Sequence, residues 1–281
     1  MITDVHQIEE LYQELERLKR EVNYLKKERD SRKKIEESLR LSEIRFKELN
    51  SQKDKFFSVI AHEIRSPFMG FIGLTKMLAL KVDDFSKDEI KEIAIALNDS
   101  AKRIFKLLEN IIDWSRIQRG LVQLRRTCFC LKDAIDESID MLNIIANQKD
   151  ITLTNLVSED IKVFADKETI VTVVSNLISN AIKFTKEQGY VKVTAVDNGD
   201  DFIKMSVIDN GIGIENDILT NLFKLENMQS SFGTNYERGT GLGLIISKEF
   251  IELNGGKISV QSKFGEGSTF SITIPKSQNK S

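Results

Sequence analysis

The sequence has few of the residues that cross-link small secreted folds or interrupt helices. Its 281 residues include two cysteines and two prolines. Cys128 and Cys130 lie two positions apart in a strand-like segment, where same-face neighbours do not form an ordinary disulfide, and two thiols alone do not make a zinc site. We therefore expect both to be small buried residues in a reducing cytoplasm. The scarcity of proline permits long helices.

Charge and hydrophobicity exclude several classes of partner. The net charge is −2, which provides no basic field for nucleic acid and no polybasic patch for a membrane. No apolar run approaches the length of a transmembrane helix, and the N-terminus lacks a signal-peptide pattern. The chain is long enough for about two domains and an extended element. We expect a cytoplasmic protein, or the cytoplasmic portion of a longer or membrane-anchored protein.

The N-terminal segment has the pattern of a coiled coil. Its apolar residues recur in alternating steps of three and four, separated by Glu, Lys and Arg, which favours a two-stranded coil over a single helix packed on its own domain. Residues 26–34 contain no apolar residue, which predicts a local weakening or re-twisting of the coil. The seam residues are Ile8, Leu11, Leu15, Leu18, Val22 and Leu25.

One of the two histidines occupies an unusual helical position. On a helix of about 3.6 residues per turn, His62 falls roughly 200° from Ile60, opposite an apolar stripe. The alternative, a hydrogen-bonded core histidine, does not fit that face. An imidazole held outward is a nucleophile presented to another group, and Glu63 can hold its tautomer or accept its proton. Ser66 lies one turn further along the same face. The stripe consists of Ile60, Ile64, Pro67, Phe71 and Leu78.

Two helices in this part of the chain are predicted to form a hairpin. Pro67 lacks an N–H, so the first helix should bend near the histidine. Residues 82–88, rich in Asp and Ser, predict a turn, and the second amphipathic run ends near Gly120, a suitable C-terminal cap. One hairpin buries its stripe poorly, whereas two hairpins make a four-helix bundle. We therefore expect a homodimer.

After Gly120 the pattern changes to a mixed α/β sandwich of about 150 residues. Strands are predicted at Thr127–Leu131, Ile151–Leu156, Lys162–Ala165, Tyr190–Val196, Phe202–Ile208, Lys257–Ser262 and Ser268–Ile274. Helices are predicted at Leu131–Gln148, Lys167–Phe184 and Gly243–Leu253.

Two polar clusters in this half point to a ligand. Asn176, Asn180 and Lys183 lie four and three residues apart, so one helix face carries two amides and an ammonium, which suit Mg²⁺ and phosphate. A polar helix surface is the alternative. Asp209 ends a predicted strand and is followed by Gly211 and Gly213, which allow a tight turn and close backbone approach. A plain β-turn is the alternative there.

A third cluster is rich in glycine. It opens a helix, where backbone N–H groups and the helix dipole favour phosphate. It follows neither the dinucleotide-binding pattern nor the phosphate-binding loop that ends in Gly-Lys-Ser/Thr. The polar residues 230–238 before it predict a mobile lid, and the turn at 265–270, which includes Thr269, should face the same site. The cluster is Gly239, Thr240, Gly241, Leu242, Gly243 and Leu244.

These clusters, in this order, resemble the Asn, Asp-Gly and Gly-rich boxes of the Bergerat-fold ATP-binding domain. With His62, Glu63 and Ser66 upstream, residues 51–276 resemble a sensor histidine kinase of two-component signalling. The resemblance implies that His62 accepts the γ-phosphoryl group of ATP and passes it to an aspartate of a response-regulator receiver domain. It also implies that Glu63 and Ser66 take part in the chemistry, including dephosphorylation of the regulator.

The same resemblance implies roles in the ATP domain. Asp209 would bind adenine, Asn180 would hold Mg²⁺, and Lys183 and Arg238 would contact phosphate. The other residues implied to bind the nucleotide are Asn176, Gly211, Gly213, Gly239, Thr240, Gly241, Leu242, Gly243 and Thr269.

Three departures from the family pattern carry information. Gyrase-type relatives that hydrolyse ATP have a glutamate at the position of Asn176, and an amide cannot serve as that base. Ser66 stands where Thr or Asn is common, so regulator phosphatase activity is less firmly implied. Phe223 is present beside the lid, whereas Leu225 and Met228 stand where a second Phe is common.

The expected architecture is an α plus α/β chain. Residues 1–50 form a coiled-coil signalling helix, 51–120 the dimeric phosphotransfer hairpin, 121–276 the ATP-binding domain and 277–281 a tail. Residues 2–5 before the coil resemble the exit of a PAS sensor domain, which predicts an upstream sensor. Two alternatives stay open: a Bergerat-fold ATPase or serine kinase, and a non-catalytic dimeric scaffold.

Overall fold

The computed structural model describes residues 2–199, 201–223, 233–235 and 241–277. The chain divides into two units between Phe56 and Phe57. The first unit lies within the long helix α1, Ile2–Lys81, which continues into the second unit. Within the described ranges, no helix combines the length and the apolar character needed to cross a bilayer.

The N-terminal part of α1 is helical throughout, including the polar residues 26–34. The seam residues from Leu15 onward are all exposed in the single chain: Leu15, Leu18, Val22 and Leu25. An apolar row left in water on a long polar helix is the pattern that a second helix covers in a coiled coil. Pairing of the coil stays a prediction.

Two helices joined by a short turn form as expected, and the turn is shorter than predicted. A 3₁₀ turn at Val82–Asp84 is followed by α2, Lys87–Gln118, so the predicted turn residue Asp88 already lies in the helix. Ser86 caps α2: its hydroxyl accepts from the backbone N–H of Glu89 at 3.3 Å, and the Glu89 carboxylate accepts from the Ser86 N–H at 2.8 Å. This reciprocal cap starts the helix earlier than the acidic composition indicated.

The end of α2 confirms the predicted cap at Gly120. Its φ is +63°, a conformation that glycine adopts without strain. The Gly120 N–H donates to the Ile117 carbonyl at 2.9 Å, and the Leu121 N–H donates to the Arg116 carbonyl at 2.9 Å. These two bonds form a Schellman motif, which satisfies carbonyls that the helix leaves open. Earlier in the hairpin, α1 runs through Pro67 without a break.

The C-terminal half is a layer of helices on a mixed sheet. Five strands pair in the order β2-β4-β5-β7-β6, with β2 and β4 parallel and the other pairs antiparallel. β1 and β3 form a separate antiparallel pair. The strands are β1 (Arg126–Cys130), β2 (Thr152–Asn155), β3 (Lys162–Asp166), β4 (Tyr190–Asp197), β5 (Phe202–Asp209), β6 (Ile258–Lys263) and β7 (Gly267–Pro275).

Three helices make up the second layer, with α4 contacting both of the others. They are α3 (Leu131–Gln148), α4 (Lys167–Phe184) and α6 (Gly243–Leu253), and a single turn of helix, α5, spans Asn216–Leu219. The buried side of α4 is apolar at seven positions, and α4 contacts β4 and β5 of the sheet. α2 contacts α6. The predicted strands and helices of this domain all form, with ends within one residue, and α5 was not predicted.

The prediction of buried cysteines was wrong. Cys128 is exposed and Cys130 is half-buried, and both are free thiols. The reason is the sheet order: β1 and β3 form a two-stranded sheet apart from the five-stranded one, and the described residues leave Cys128 exposed on it. Cys128 lies beside Phe164 in the ladder, and Phe164 is also exposed.

Candidate functional site

A buried carboxylate marks the end of the central strand β5. Asp209 is 6% exposed, and its Oδ1 accepts from the backbone N–H groups of Gly211 at 2.9 Å and Ser268 at 3.2 Å. Burial raises the pKa of Asp209, and the two N–H donors oppose that shift. Oδ2 accepts no hydrogen bond from any part of the chain that the structure describes. It is therefore available to accept a bond from a ligand amino group.

The glycines around Asp209 are required by close backbone approach. A Cβ at Gly211 would overlap the carbonyl of Phe184, and one at Gly213 would overlap the carbonyl of Lys263. Gly213 also has a φ of +68°. The predicted tight turn is therefore present, and it lies directly on the last turn of α4, where the Ile212 N–H donates to the Phe184 carbonyl at 3.0 Å.

The predicted polar ridge lies along α4. Asn176 donates through Nδ2 to the Ser247 hydroxyl of α6 at 2.8 Å, and Gly243 leaves room for its amide, because a Cβ there would overlap Oδ1. Asn180 is half-buried, with no side-chain hydrogen bond to the described residues. The Lys183 ammonium lies 4.5 Å from the ring centroid of Phe184.

The ridge connects the other two predicted clusters. Its first residue, Asn176, touches the start of α6, and its last, Lys183, adjoins the turn that follows Asp209. The geometry therefore brings a buried carboxylate, two amides, an ammonium and the glycines at 211, 213 and 243 together along the C-terminal half of α4. This set of groups suits a ligand that has an amino-bearing ring at one end and anionic groups at the other.

The structure describes some of the remaining predicted residues, and others lie outside the described ranges. Gly241 has a φ of +69° and precedes α6, whereas Leu242 is fully buried and packs as a core residue. Thr269 pairs with Ile208 in the β5–β7 ladder, one position from Asp209. Phe223 is half-buried. Predictions that lie outside the described residues concern Arg238, Gly239, Thr240, Leu225, Met228 and most of the proposed lid at 230–238.

His62 points away from the packed side of its helix. Its side chain is 71% exposed, whereas Ile60 is buried, as the apolar stripe predicted. Nδ1 lies 3.6 Å from Glu63 Oε1, and the Glu63 side chain is only 12% exposed. Ser66 is exposed one turn further on. The arrangement leaves the imidazole open to an approaching group and places a carboxylate beside it.

Two family descriptions match this chain. Residues 52–120 match the His Kinase A (phospho-acceptor) domain. Residues 165–278 match the family described as histidine kinase-, DNA gyrase B- and HSP90-like ATPase. The chain belongs to the sensor histidine kinase family. His62, Glu63 and Ser66 lie inside the first matched range, and all the predicted nucleotide residues from Asn176 to Thr269 lie inside the second.

Related histidine kinases are found in several organisms. An uncharacterized sensor-like histidine kinase of Rhizobium meliloti is 33% identical over 229 residues, which cover 80% of this chain and 43% of the relative. Histidine protein kinase DivJ of Caulobacter vibrioides is 28% identical over 85% of this chain and 40% of its own length. The chain therefore spans less than half the length of these curated relatives.

A solved structure of the same family has the same fold. Histidine kinase ThkA, in complex with response regulator protein TrrA, aligns with a TM-score of 0.66 and 26% identity over 84% of this chain and 65% of that one. In the present chain, the α/β domain also includes residues before the matched ATPase range, because β2 pairs with β4 and α3 packs on α4.

Sequence reasoning missed three residues that hold the site together. Ser247 binds Asn176, as described above. Lys149 and Thr234 bind each other at 2.8 Å and both contact the end of α4. The sequence offered one indication that Lys149 is unusual, namely its position directly between an amphipathic helix and a strand. Nothing in the sequence pattern indicated that it is buried.

Proposed function

We propose that this protein is an ATP-dependent histidine kinase that phosphorylates His62 and transfers the phosphoryl group to an aspartate of a response-regulator receiver domain. The observation that carries the proposal is the outward imidazole of His62 in a phospho-acceptor helix, in the same chain as a buried carboxylate pocket. The family match and the ridge on α4 support it. A cytoplasmic location follows for such a regulator-directed activity.

The nucleotide is proposed to bind around the end of α4. The free Oδ2 of Asp209 accepts a hydrogen bond from the adenine amino group, and Lys183 contacts phosphate. Asn180 fits Mg²⁺, since it offers an amide oxygen that no described residue occupies. When bound, Mg²⁺ neutralises charge on the phosphates. We assign the ATP domain to residues 121–276.

The proposed transfer is an in-line displacement at the γ-phosphorus. Nε2 of His62 forms the bond to phosphorus while the bond to the bridging oxygen breaks, and ADP leaves with the electron pair. The proton on Nδ1 passes to the neighbouring Glu63 carboxylate, which the 3.6 Å separation favours. The second transfer moves the phosphoryl group from Nε2 to the regulator's aspartate. The exposed hydroxyl of Ser66 is placed to orient water for the regulator phosphatase reaction.

A homodimer is proposed to form through the hairpin, residues 51–120, and the coil, residues 1–50. Both helices of the hairpin leave large apolar side chains in water in the single chain, and a second hairpin would cover them. These side chains include Phe68, Met69, Ile72, Met77, Phe105, Leu108 and Ile112. An upstream PAS-like sensor completes the proposed assembly.

Labelling with γ-labelled ATP tests the phosphoryl acceptor. We expect His62→Gln to abolish acid-labile label while ATP affinity is unchanged, because the substitution leaves the pocket intact. Asn180→Ala should remove Mg²⁺-dependent labelling although the acceptor His62 is still present. Acid-labile label that persists in His62→Gln would refute the acceptor. Acid-stable label would favour a serine kinase, and a wild-type chain that binds no ATP would favour a scaffold.

A further inference from the structure

Lys149 is a buried lysine at the end of α3 with an unusual set of partners. The residue is 5% exposed. Its Nζ donates to the carbonyl oxygens of Ile182 at 3.0 Å and Lys183 at 3.2 Å. A third bond reaches the hydroxyl of Thr234 at 2.8 Å. An ammonium has three N–H donors, and these three acceptors all lie within hydrogen-bond distance of Nζ.

The two carbonyls belong to the last turn of α4, which has no further turn to bond with. A helix leaves its last carbonyls without intrahelical donors, and a cation at that end also interacts favourably with the helix dipole. Lys149 supplies both the donors and the charge. A substituted residue without an ammonium would remove the donor that Lys149 gives to the Ile182 carbonyl, whereas the Lys183 carbonyl would keep its bond from the Thr234 N–H at 3.0 Å.

Thr234 completes the same cap from a different part of the chain. Its N–H donates to the Lys183 carbonyl at 3.0 Å, and its hydroxyl donates to the Thr185 carbonyl at 2.8 Å. The Phe184 carbonyl accepts from the Ile212 N–H, as noted above. Three separate segments therefore contact the end of α4, those of Lys149, Thr234 and Ile212, and Lys149 also bonds directly to Thr234.

We propose that Lys149 is a positioning residue that fixes the last turn of α4 against Thr234 and thereby sets the place of the Lys183 side chain for phosphate. The proposal rests on the proposed ATP pocket. Asp209 is held independently, by the backbone N–H groups of Gly211 and Ser268. Loss of Lys149 should therefore impair recognition of the phosphates and spare recognition of adenine.

Comparison of ATP with adenosine separates this role from a general structural one. For Lys149→Met, which keeps the length and removes the donors, we expect the Kd for Mg²⁺-ATP to rise by about tenfold, the effect of one lost charged hydrogen bond. The Kd for adenosine, measured by chemical-shift titration, should stay within about twofold. Lys132→Met provides a matched control, because Lys132 lies on the same helix but pairs with Glu159. It should change neither affinity.

Thr234 provides a second variant if Lys149→Met does not fold. Thr234→Val should reproduce the selective loss of ATP affinity, whereas Thr234→Ser, which keeps the hydroxyl, should retain that affinity. The double variant Thr234→Val with Lys149→Met should lose less ATP affinity than the sum of the two single losses. Equal loss of ATP and adenosine, or no loss of either, would overturn the positioning role. A wild-type protein that binds neither ligand would instead overturn the proposed ATP site.

Discussion

Asp209 shows how a single residue of the site opposes the stability of its own domain. Its carboxylate is buried at the end of β5, where Oδ1 accepts two hydrogen bonds and Oδ2 accepts none from the described residues, and burial raises its pKa. Because the pKa of Asp209 is higher in the folded than in the unfolded chain, the protonated carboxyl stabilises the fold. This contribution is fully present below the unfolded pKa and is lost as the pH rises through the folded pKa. Ionisation of the Asp209 carboxylate therefore disfavours the fold.

Asp209→Asn should separate stability from binding. The amide oxygen can keep the bonds from Gly211 and Ser268, which turns the NH₂ group toward the proposed adenine position, where donor faces donor. We expect ATP affinity to fall by at least about tenfold and the melting temperature without nucleotide to rise at pH 7. The gain should shrink as the pH is lowered toward the pKa of Asp209. A lower melting temperature at pH 7 would contradict the desolvation argument.

Two glycines predict different consequences for the same substitution. In Gly243→Ala the three atoms nearest to the new Cβ all belong to the Asn176 side chain, so the amide must move and Mg²⁺-ATP affinity should fall by about tenfold with a small change in melting temperature. In Gly256→Ala the Cβ overlaps the backbone carbonyl of Thr273 in β7, so the fold itself should lose stability. Calorimetric titration and thermal melting of both variants check this pair. A reversed pattern would exclude Gly243 from a role in the site.

The positions of the candidate site residues were predictable where they follow from chemistry within one short segment, and their roles stay predictions. The Asn176–Lys183 ridge and the Asp209 turn are local patterns, and both are found around the same helix end. Lys149 was missed because its partner Thr234 is 85 positions away in sequence, so its burial depends on tertiary packing. The prediction that the cysteines are buried failed for a similar reason, because a sequence pattern does not say which strands pair apart from the main sheet.

Elements were predicted closely where caps and periodicity agree. α4 has the predicted bounds, with Asp166 accepting from the Thr169 N–H at 3.0 Å at its start. The turn of the hairpin was extended too far, because acidic residues are typical both of loops and of first helical turns. The reciprocal cap at Ser86 and Glu89 decides between these two states.

Ser86→Ala should test that cap. Removing an N-cap hydroxyl costs about 1 kcal/mol, so amide exchange in the first turn of α2 should accelerate by about fivefold. Hydrogen bonds from Ser86 lower the pKa of Glu89. The contribution of this bond is therefore present above the unfolded pKa and lost as the pH falls through the folded value. Ser51→Ala, the same change inside exposed α1, should leave exchange unchanged, and an equal acceleration there would contradict the cap.

At the scale of the whole molecule, the exposed apolar face of the hairpin is the feature that a single chain leaves unresolved. Residues spaced three and four apart on α2, such as Phe105, Leu108 and Ile112, remain exposed. A row of this kind predicts a helix bundle from sequence alone. The partner hairpin cannot be deduced from the packing within one chain, so the proposed dimer depends on a direct measurement.

Leu108→Asp should weaken the dimer without affecting the pocket. Leu108 is 52% exposed in the single chain, and a dimer that buries this position would place a carboxylate in an apolar core at a cost of a few kcal/mol. We expect the dimer dissociation constant from sedimentation to rise by about a hundredfold, with ATP affinity unchanged. Leu156→Asp is the matched control, since Leu156 is 57% exposed on the ATP domain and should retain the dimer. If both variants dissociate, or neither does, the hairpin face is not the dimer interface.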